Sequence, residues 1–184
     1  MRFTKMHGLG NDYLYVYGEV PPDVAELSMR LSDRHFGAGS DGMIYIGESD
    51  VADFSMRIFN ADGSEAKMCG NGIRCVGKYV YDKGLTRKTS LDIQTLSGIR
   101  HLELCVEDGA VVAATVDMGM VTVGDAMELL VDGRSVSCTP VDVGNPHAVL
   151  LVRDAESAPV DVLGPQLERH EAFPGGVNVE FVQR

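Results

Sequence analysis

Apolar and polar residues alternate along most of this chain. Residues 2–6, 12–17, 43–47, 53–59, 89–95, 99–106 and 110–117 follow a period of two and are rich in Val, Ile, Phe, Tyr and Thr. That pattern predicts strands. Asp108-Gly109, between the last two, is a hairpin turn signal. A second set follows at 128–131, 134–138, 140–143, 147–153 and 177–183, with Asp132-Gly133 as a turn. Three segments carry helical spacing instead. Val24 to His35 places Val24, Leu27 and Leu31 on one face, with Asp23 and Glu26 spaced as a capping box and Gly37 as the stop. Asn71 to Lys83 places Ile73, Val76, Tyr79 and Val80 on one face and ends at Gly84. A third, shorter helix is predicted near Pro165 to His170.

Strands outnumber helices and do not alternate strictly with them, so the expectation is an α+β fold, not a doubly wound parallel sheet. A boundary is expected near Met118 to Gly124, giving a first part at residues 1–117 and a second at 118–184. The second part has one short helix to cover its strands, which predicts a half that is incomplete and leaves a sheet edge and an apolar face open near Val177 to Val182. Dimers or larger species that hide this surface are expected.

The 184 residues are 45% apolar and 23% charged, an ordinary globular composition. Sixteen basic against 27 acidic residues give a net charge of −11. That balance argues against a nucleic-acid partner, which needs a basic face, and against docking on an anionic membrane. No signal-peptide pattern and no apolar run of spanning length occur, so a cytoplasmic location with reduced thiols is expected. The cysteines (Cys69, Cys75, Cys105 and Cys138) lack zinc spacing and the five histidines are scattered, so no metal site is expected.

The sharpest chemistry lies in Met68-Cys69-Gly70-Asn71-Gly72-Ile73-Arg74-Cys75. Here a glycine-flanked cysteine opens a helix. Helix starts leave N–H groups unpaired and carry partial positive charge. A cysteine there has its thiolate favoured, with pKa values moved from ~8.5 toward ~3.5–7.5. The same N–H groups can hold a carboxylate. Taken alone, Cys69 also reads as a small core residue and the glycines as a turn. Cys75, inside the helix, reads as structural. Asn11, Asn60, Asn71, Asn145 and Asn178 offer donors and acceptors suited to an amino acid, although Gly-Asn and Asn-Pro are also ordinary turn dipeptides. The loop Gly37 to Gly42 is set aside as a phosphate loop: it follows a helix and lacks a lysine.

Phe3-Thr4-Lys5-Met6-His7-Gly8-Leu9-Gly10-Asn11-Asp12-Tyr13, then Phe59 to Ser64, Cys69 to Cys75, Gly144 to His147, and Phe173-Pro174 through Asn178 together resemble the diaminopimelate epimerases, in order and spacing, along the whole chain. The resemblance implies two similar strand-rich halves, each wrapped around a central helix. It implies a cofactor-free epimerisation of LL- to meso-diaminopimelate in lysine and cell-wall precursor synthesis, on a small amino-acid substrate. By matching motif, Cys69 is one of two bases. Gly70, Asn71, Asn11, Asn60, Asn145 and Asn178 are substrate contacts, and His147 tunes the thiols. A second cysteine, in an Ala-Cys-Gly-(Thr/Ser)-Gly helix start, and a Glu-Arg pair are implied too, and neither occurs here. Many members have Gln where this chain has Gly42, so a side-chain contact there is lost or replaced. The expectation is therefore an epimerase chain without its C-terminal part and inactive alone. The alternatives are a related cofactor-free isomerase of proline racemase or phenazine-pathway type, and a non-catalytic amino-acid-binding remnant.

Overall fold

The computed structural model describes residues 1–183. They form two compact units that divide between Met118 and Gly119. The architecture is α+β.

Unit 1 holds the strands β1 (Thr4–Gly8), β2 (Asn11–Tyr17), β3 (Gly42–Gly47), β4 (Phe54–Asn60), β5 (Glu65–Ala66), β6 (Ser90–Thr95), β7 (Gly98–Glu107) and β8 (Ala110–Val116). Its helices are α1 (Val24–Ser32) and α2 (Gly70–Asp82). The sheet order is β1-β2-β3-β4-β6-β7-β8, with β5 paired to β4. β2 and β3 are parallel, joined by a crossover that carries α1. Parallel neighbours need such a long connection.

The period of two divides the central strands between two cores. Leu14, Val16, Met43, Tyr45 and Phe59 pack with Val24, Leu27 and Leu31 of α1. Tyr13, Tyr15, Ile44, Ile46, Met56 and Ile58 pack on the other side with Ile73, Val76 and Val80 of α2. Each of those α2 side chains is fully buried and contributes about 1.5–3 kcal/mol. Gly77 lets the helix lie close on the sheet, because a Cβ there would meet Leu104 Cδ2 at 2.8 Å.

Unit 2 holds β9 (Thr122–Val123), β10 (Met127–Val131), β11 (Arg134–Asp142), β12 (Pro146–Val152), α3 (Val160–Glu168) and β13 (Asn178–Gln183). The order is β10-β11-β12-β13, with β9 on β11. β12 and β13 are parallel around α3, as β2 and β3 are around α1. An antiparallel pair, then a helix, then a parallel strand is thus built twice. Leu151 and Val182 are neighbours on β12 and β13, and both are exposed. No helix of the described residues is long and apolar enough to cross a membrane.

Several sequence expectations are corrected. Asp23 makes no side-chain cap, so the Asp23/Glu26 box does not form. α1 stops at Ser32, three residues early, because the Asp33 carboxylate takes the N–H groups of His35 and Phe36 at 2.7 and 2.6 Å. α3 begins at Val160 and carries Pro165 inside it. Segments 134–138 and 140–143 are one strand, which pairs with β10 through Cys138 and with β12 from Thr139. The short strands β5 and β9 fall in stretches read as loop. The last strand begins at Asn178, one residue later than the predicted start at 177.

Candidate active site

Cys69 is the N-cap of α2. Its extended backbone (φ −142°, ψ 109°) turns the side chain back over the helix start, where Sγ accepts the Gly72 N–H at 3.3 Å. The residue is half-buried, and Met68 and Cys69 pack against the edge of the larger core. Gly70 and Asn71 are the first two helical residues, so their N–H groups have no intrahelical acceptor. No acidic side chain occupies the first turn to compete for them. Asn71 Oδ1 is held by Arg74 Nη2 at 2.5 Å. Gly8, at the end of β1, closes on Asn71, whose carbonyl would lie 3.1 Å from a Cβ there.

The sheet supplies the rest of the constellation. The Cys69 thiol donates to Asn11 Oδ1 at 3.3 Å. Asn11 Nδ2 donates to Asp41 Oδ2 at 2.7 Å. Asn60 receives the Tyr13 hydroxyl at 3.5 Å on its Oδ1 and donates through Nδ2 to Ser64 Oγ at 3.1 Å. Behind them, Arg34 bridges Asp12 and Asp41 at 2.8 and 2.9 Å. That guanidinium, with Lys5 at 3.1 Å, holds the Asp12 carboxyl down to about 2. Of the predicted residues in unit 1, Cys69 and Asn11 are in direct contact. Asn60 is linked to Tyr13, and Gly70 and Asn71 form the helix start.

In unit 2, Asn145 and His147 stand at the turn into β12. His147 Nδ1 pairs with Glu180 Oε1 at 2.5 Å and its Nε2 with Asn145 Oδ1 at 3.2 Å. Asn178 donates to the Pro146 carbonyl at 3.2 Å. Asn145 and Asn178 are exposed. These three residues form one cluster because the parallel register sets His147 opposite Asn178.

The other cysteines differ from Cys69. Burial pushes the Cys75 and Cys138 thiols up. Cys105 is exposed on β7. Among the described residues, no group of three His, Cys, Asp or Glu side chains could hold a metal ion. A cavity of about 420 Å³ lies at the far ends of β2 and β3, lined by Tyr17, Tyr45 and Arg57, and includes none of the residues around Cys69.

Sequence reasoning missed Asp41 and Tyr13. Asp41 lay in the loop set aside as a failed phosphate loop. The available signal was a lone carboxylate at the junction of a glycine loop and a buried strand. Gly42 shows why no side chain occurs there: at φ +156° a Cβ would sit 2.2 Å from the Phe59 carbonyl oxygen. The Tyr13 ring stands beside that position instead.

The family model for diaminopimelate epimerase matches residues 3–123 and 139–184. A diaminopimelate epimerase of Acetivibrio thermocellus is 48% identical over 198 residues, covering all of this chain and 71% of the relative. One of Bacteroides thetaiotaomicron is 52% identical over 185 residues, covering all of this chain and 69% of the relative. Among solved structures, a probable proline racemase of Agrobacterium radiobacter superposes with a TM-score of 0.69 at 17% identity, covering 97% of this chain and 65% of that one. A Bacillus anthracis protein of the PhzF phenazine-biosynthesis family gives 0.68 at 17% identity, covering 100% of this chain and 68% of that one. At that identity these two show the fold alone.

Proposed function

The chain belongs to the diaminopimelate epimerase family, and on that premise we propose that it supplies one of two bases for inverting an α-carbon of diaminopimelate between its LL and meso forms, without a cofactor, in lysine and cell-wall precursor synthesis. The observation that carries this reading is Cys69 at the N-cap of α2, its sulfur between the Gly72 N–H and Asn11. Such an N–H suits a thiolate better than a thiol, because a charged acceptor makes the stronger bond. The thiolate removes the α-proton. The unpaired N–H groups of Gly70 and Asn71 hold the α-carboxylate and stabilise the charge that builds on it. Asn11 and Asn60 contact the substrate from the sheet. Asn145 and Asn178 are assigned the same task from unit 2, with His147 acting on thiol ionisation.

Inversion needs an acid on the opposite face, since a single base returns the proton to where it came from. Cys75 is buried, and Cys105 and Cys138 lie on strands. None opens a helix as Cys69 does. The reading therefore assigns the proton-delivering thiol to sequence outside these residues, in the part of the curated relatives that this chain does not span. The open face at Leu151 and Val182 is assigned to self-association of the chain as it stands.

The test is a stereochemical assay of the 184-residue chain, alone and joined to the C-terminal segment of a curated relative, with diaminopimelate and proline as substrates. The expected result is turnover of diaminopimelate by the joined chain only, abolished by Cys69→Ala. Comparable turnover by the short chain, or a preference for proline, would overturn the reading.

A further inference from the structure

Ionisation of Cys69 changes what its neighbours must do. The thiol donates to Asn11 Oδ1. A thiolate has no hydrogen to give, and the carbonyl oxygen then faces a negative charge. Asp41 holds the other end of the amide, so Asn11 cannot turn its donors to the sulfur. The Gly72 N–H is one remaining donor.

Tyr13 is the other. It sits on the α2 side of the sheet, 6% exposed, opposite Gly42 in the parallel register. A Cβ at position 42 would lie 2.9 Å from Tyr13 Cε1, so the ring takes room that a side chain there would need. Its hydroxyl makes only a long bond, 3.5 Å, to Asn60 Oδ1. Asn11, Tyr13 and Tyr15 alternate onto this face, and the residues on either side of Tyr13 both touch the helix start: Asn11 Oδ1 accepts from the Cys69 thiol at 3.3 Å and the Tyr15 hydroxyl donates to the Gly72 carbonyl at 3.4 Å, while Cys69 packs against the cluster that holds Tyr13. Burial first, and then charge on Cys69, push the phenol up to about 12. It therefore keeps its proton, and stays a donor, across the neutral range. The cations nearby are engaged elsewhere: Arg74 holds Asn71 Oδ1 at 2.5 Å, and Lys78 reaches the Val111 carbonyl and Asp82. Tyr15 and Cys75 feel the Cys69 charge and are acids themselves, and Asp41 acts on Tyr13 as a second negative charge.

The second unit repeats the arrangement. Gly144-Asn145-Pro146-His147 leads into β12 as Gly10-Asn11-Asp12-Tyr13 leads into β2. The parallel register sets His147 opposite Asn178 as it sets Tyr13 opposite Gly42. His147 reaches its own Asn145 at 3.2 Å. Tyr13 thus holds in unit 1 the place that His147 holds in unit 2.

We propose that Tyr13 is a positioning residue of the Cys69 site, whose hydroxyl, seated in the room left by Gly42, turns from Asn60 to the sulfur when Cys69 loses its proton and steadies the thiolate. This rests on the reading of Cys69 as a base.

The test is iodoacetamide alkylation of the native 184-residue chain at pH 7, followed cysteine by cysteine by mass spectrometry, for the parent, Tyr13→Phe and Tyr45→Phe. The Tyr45 hydroxyl is buried without a partner, so its loss controls for removal of a phenol from the core. Tyr13→Phe should slow Cys69 about 3–10-fold, the worth of one hydrogen bond, and Tyr45→Phe should leave it unchanged. An unchanged rate in Tyr13→Phe, or equal slowing in both variants, overturns the proposal while the base reading stands. A parent chain in which Cys69 does not lead overturns both. If Tyr13→Phe loses its cooperative melt, tyrosine Cζ NMR reads the same coupling. The Tyr13 signal should shift as Cys69 ionises and stop doing so in Cys69→Ala. A signal indifferent to Cys69 refutes the proposal.

Discussion

The Asp41 carboxylate accepts a 2.7 Å bond from Asn11 Nδ2, and this points Asn11 Oδ1 at the Cys69 sulfur, 3.3 Å away. A carboxylate can only accept, so the amide has one orientation. Asp41→Asn removes that constraint and the charge that pairs with Arg34. Asn11 can then turn its NH₂ to the sulfur and donate to a thiolate. Alkylation of Cys69 at pH 7 should rise about 2–5-fold, while the melting temperature falls by a few degrees for about 1–2 kcal/mol lost. Slower alkylation would show that Asp41 does not control the amide.

The four thiols should react in a fixed order. Cys69, at the helix start, should be alkylated first and the exposed Cys105 second. Cys75 and Cys138 are 7% and 2% exposed and held as thiols by burial, so they should react only on unfolding. A time course read by peptide mass spectrometry decides this. Cys105 ahead of Cys69 would leave the helix start without influence on the sulfur.

Asp12 should shape the acid limb of stability. Its folded pKa, about 2, lies below the usual carboxylate value, chiefly through Arg34 and then Lys5. A depressed carboxyl stabilises the fold above its unfolded pKa, so the contribution is complete near neutral pH and fades as pH falls from about 4 to about 2. Arg34 and Lys5 are exposed and screened, which limits it to about 1 kcal/mol. Asp12→Asn should flatten the urea midpoint across that window and change little under high salt. An acid limb identical to the parent's would remove Asp12 from the account.

Gly42→Ala should destabilise unit 1 by roughly 2–4 kcal/mol, because the new methyl has the Phe59 carbonyl oxygen 2.2 Å away and backbone cannot step aside as a side chain can. Chemical denaturation followed by tyrosine fluorescence measures it. A neutral Gly42→Ala would mean that β3 and β4 separate easily beside the site.

Much of the fold was legible because both periods are clean. Val24, Leu27 and Leu31 face one core, and Ile73, Val76 and Val80 another, as their spacing requires. What failed depended on partners distant in sequence. Pro140 reads as the start of a separate strand, yet it lies inside β11, just past the point where that strand changes partner from β10 to β12. Pro165 looked like a helix start, yet α3 runs through it. The site divides the same way. Cys69, Gly70 and Asn71 are local, and Cys-Gly-Asn-Gly announced them. Asp41 and Tyr13 come together through the β2–β3 register, across a crossover of more than twenty residues, which no local pattern reveals.

The two units are unequally filled. Unit 1 has buried clusters of sixteen and six residues on the two sides of its central strands, while the buried cluster of unit 2 holds seven, from Leu129 to Val177, under one short helix. Apolar burial sets how often a region opens, and a protease cuts what opens. Unit 2 of this polypeptide is therefore expected to open, and to be cut, before unit 1. A substitution such as Leu150→Ala should shorten the lifetime of the polypeptide even though Cys69 and everything it touches stay folded, and a count of active thiols would miss the loss until the chain itself was gone.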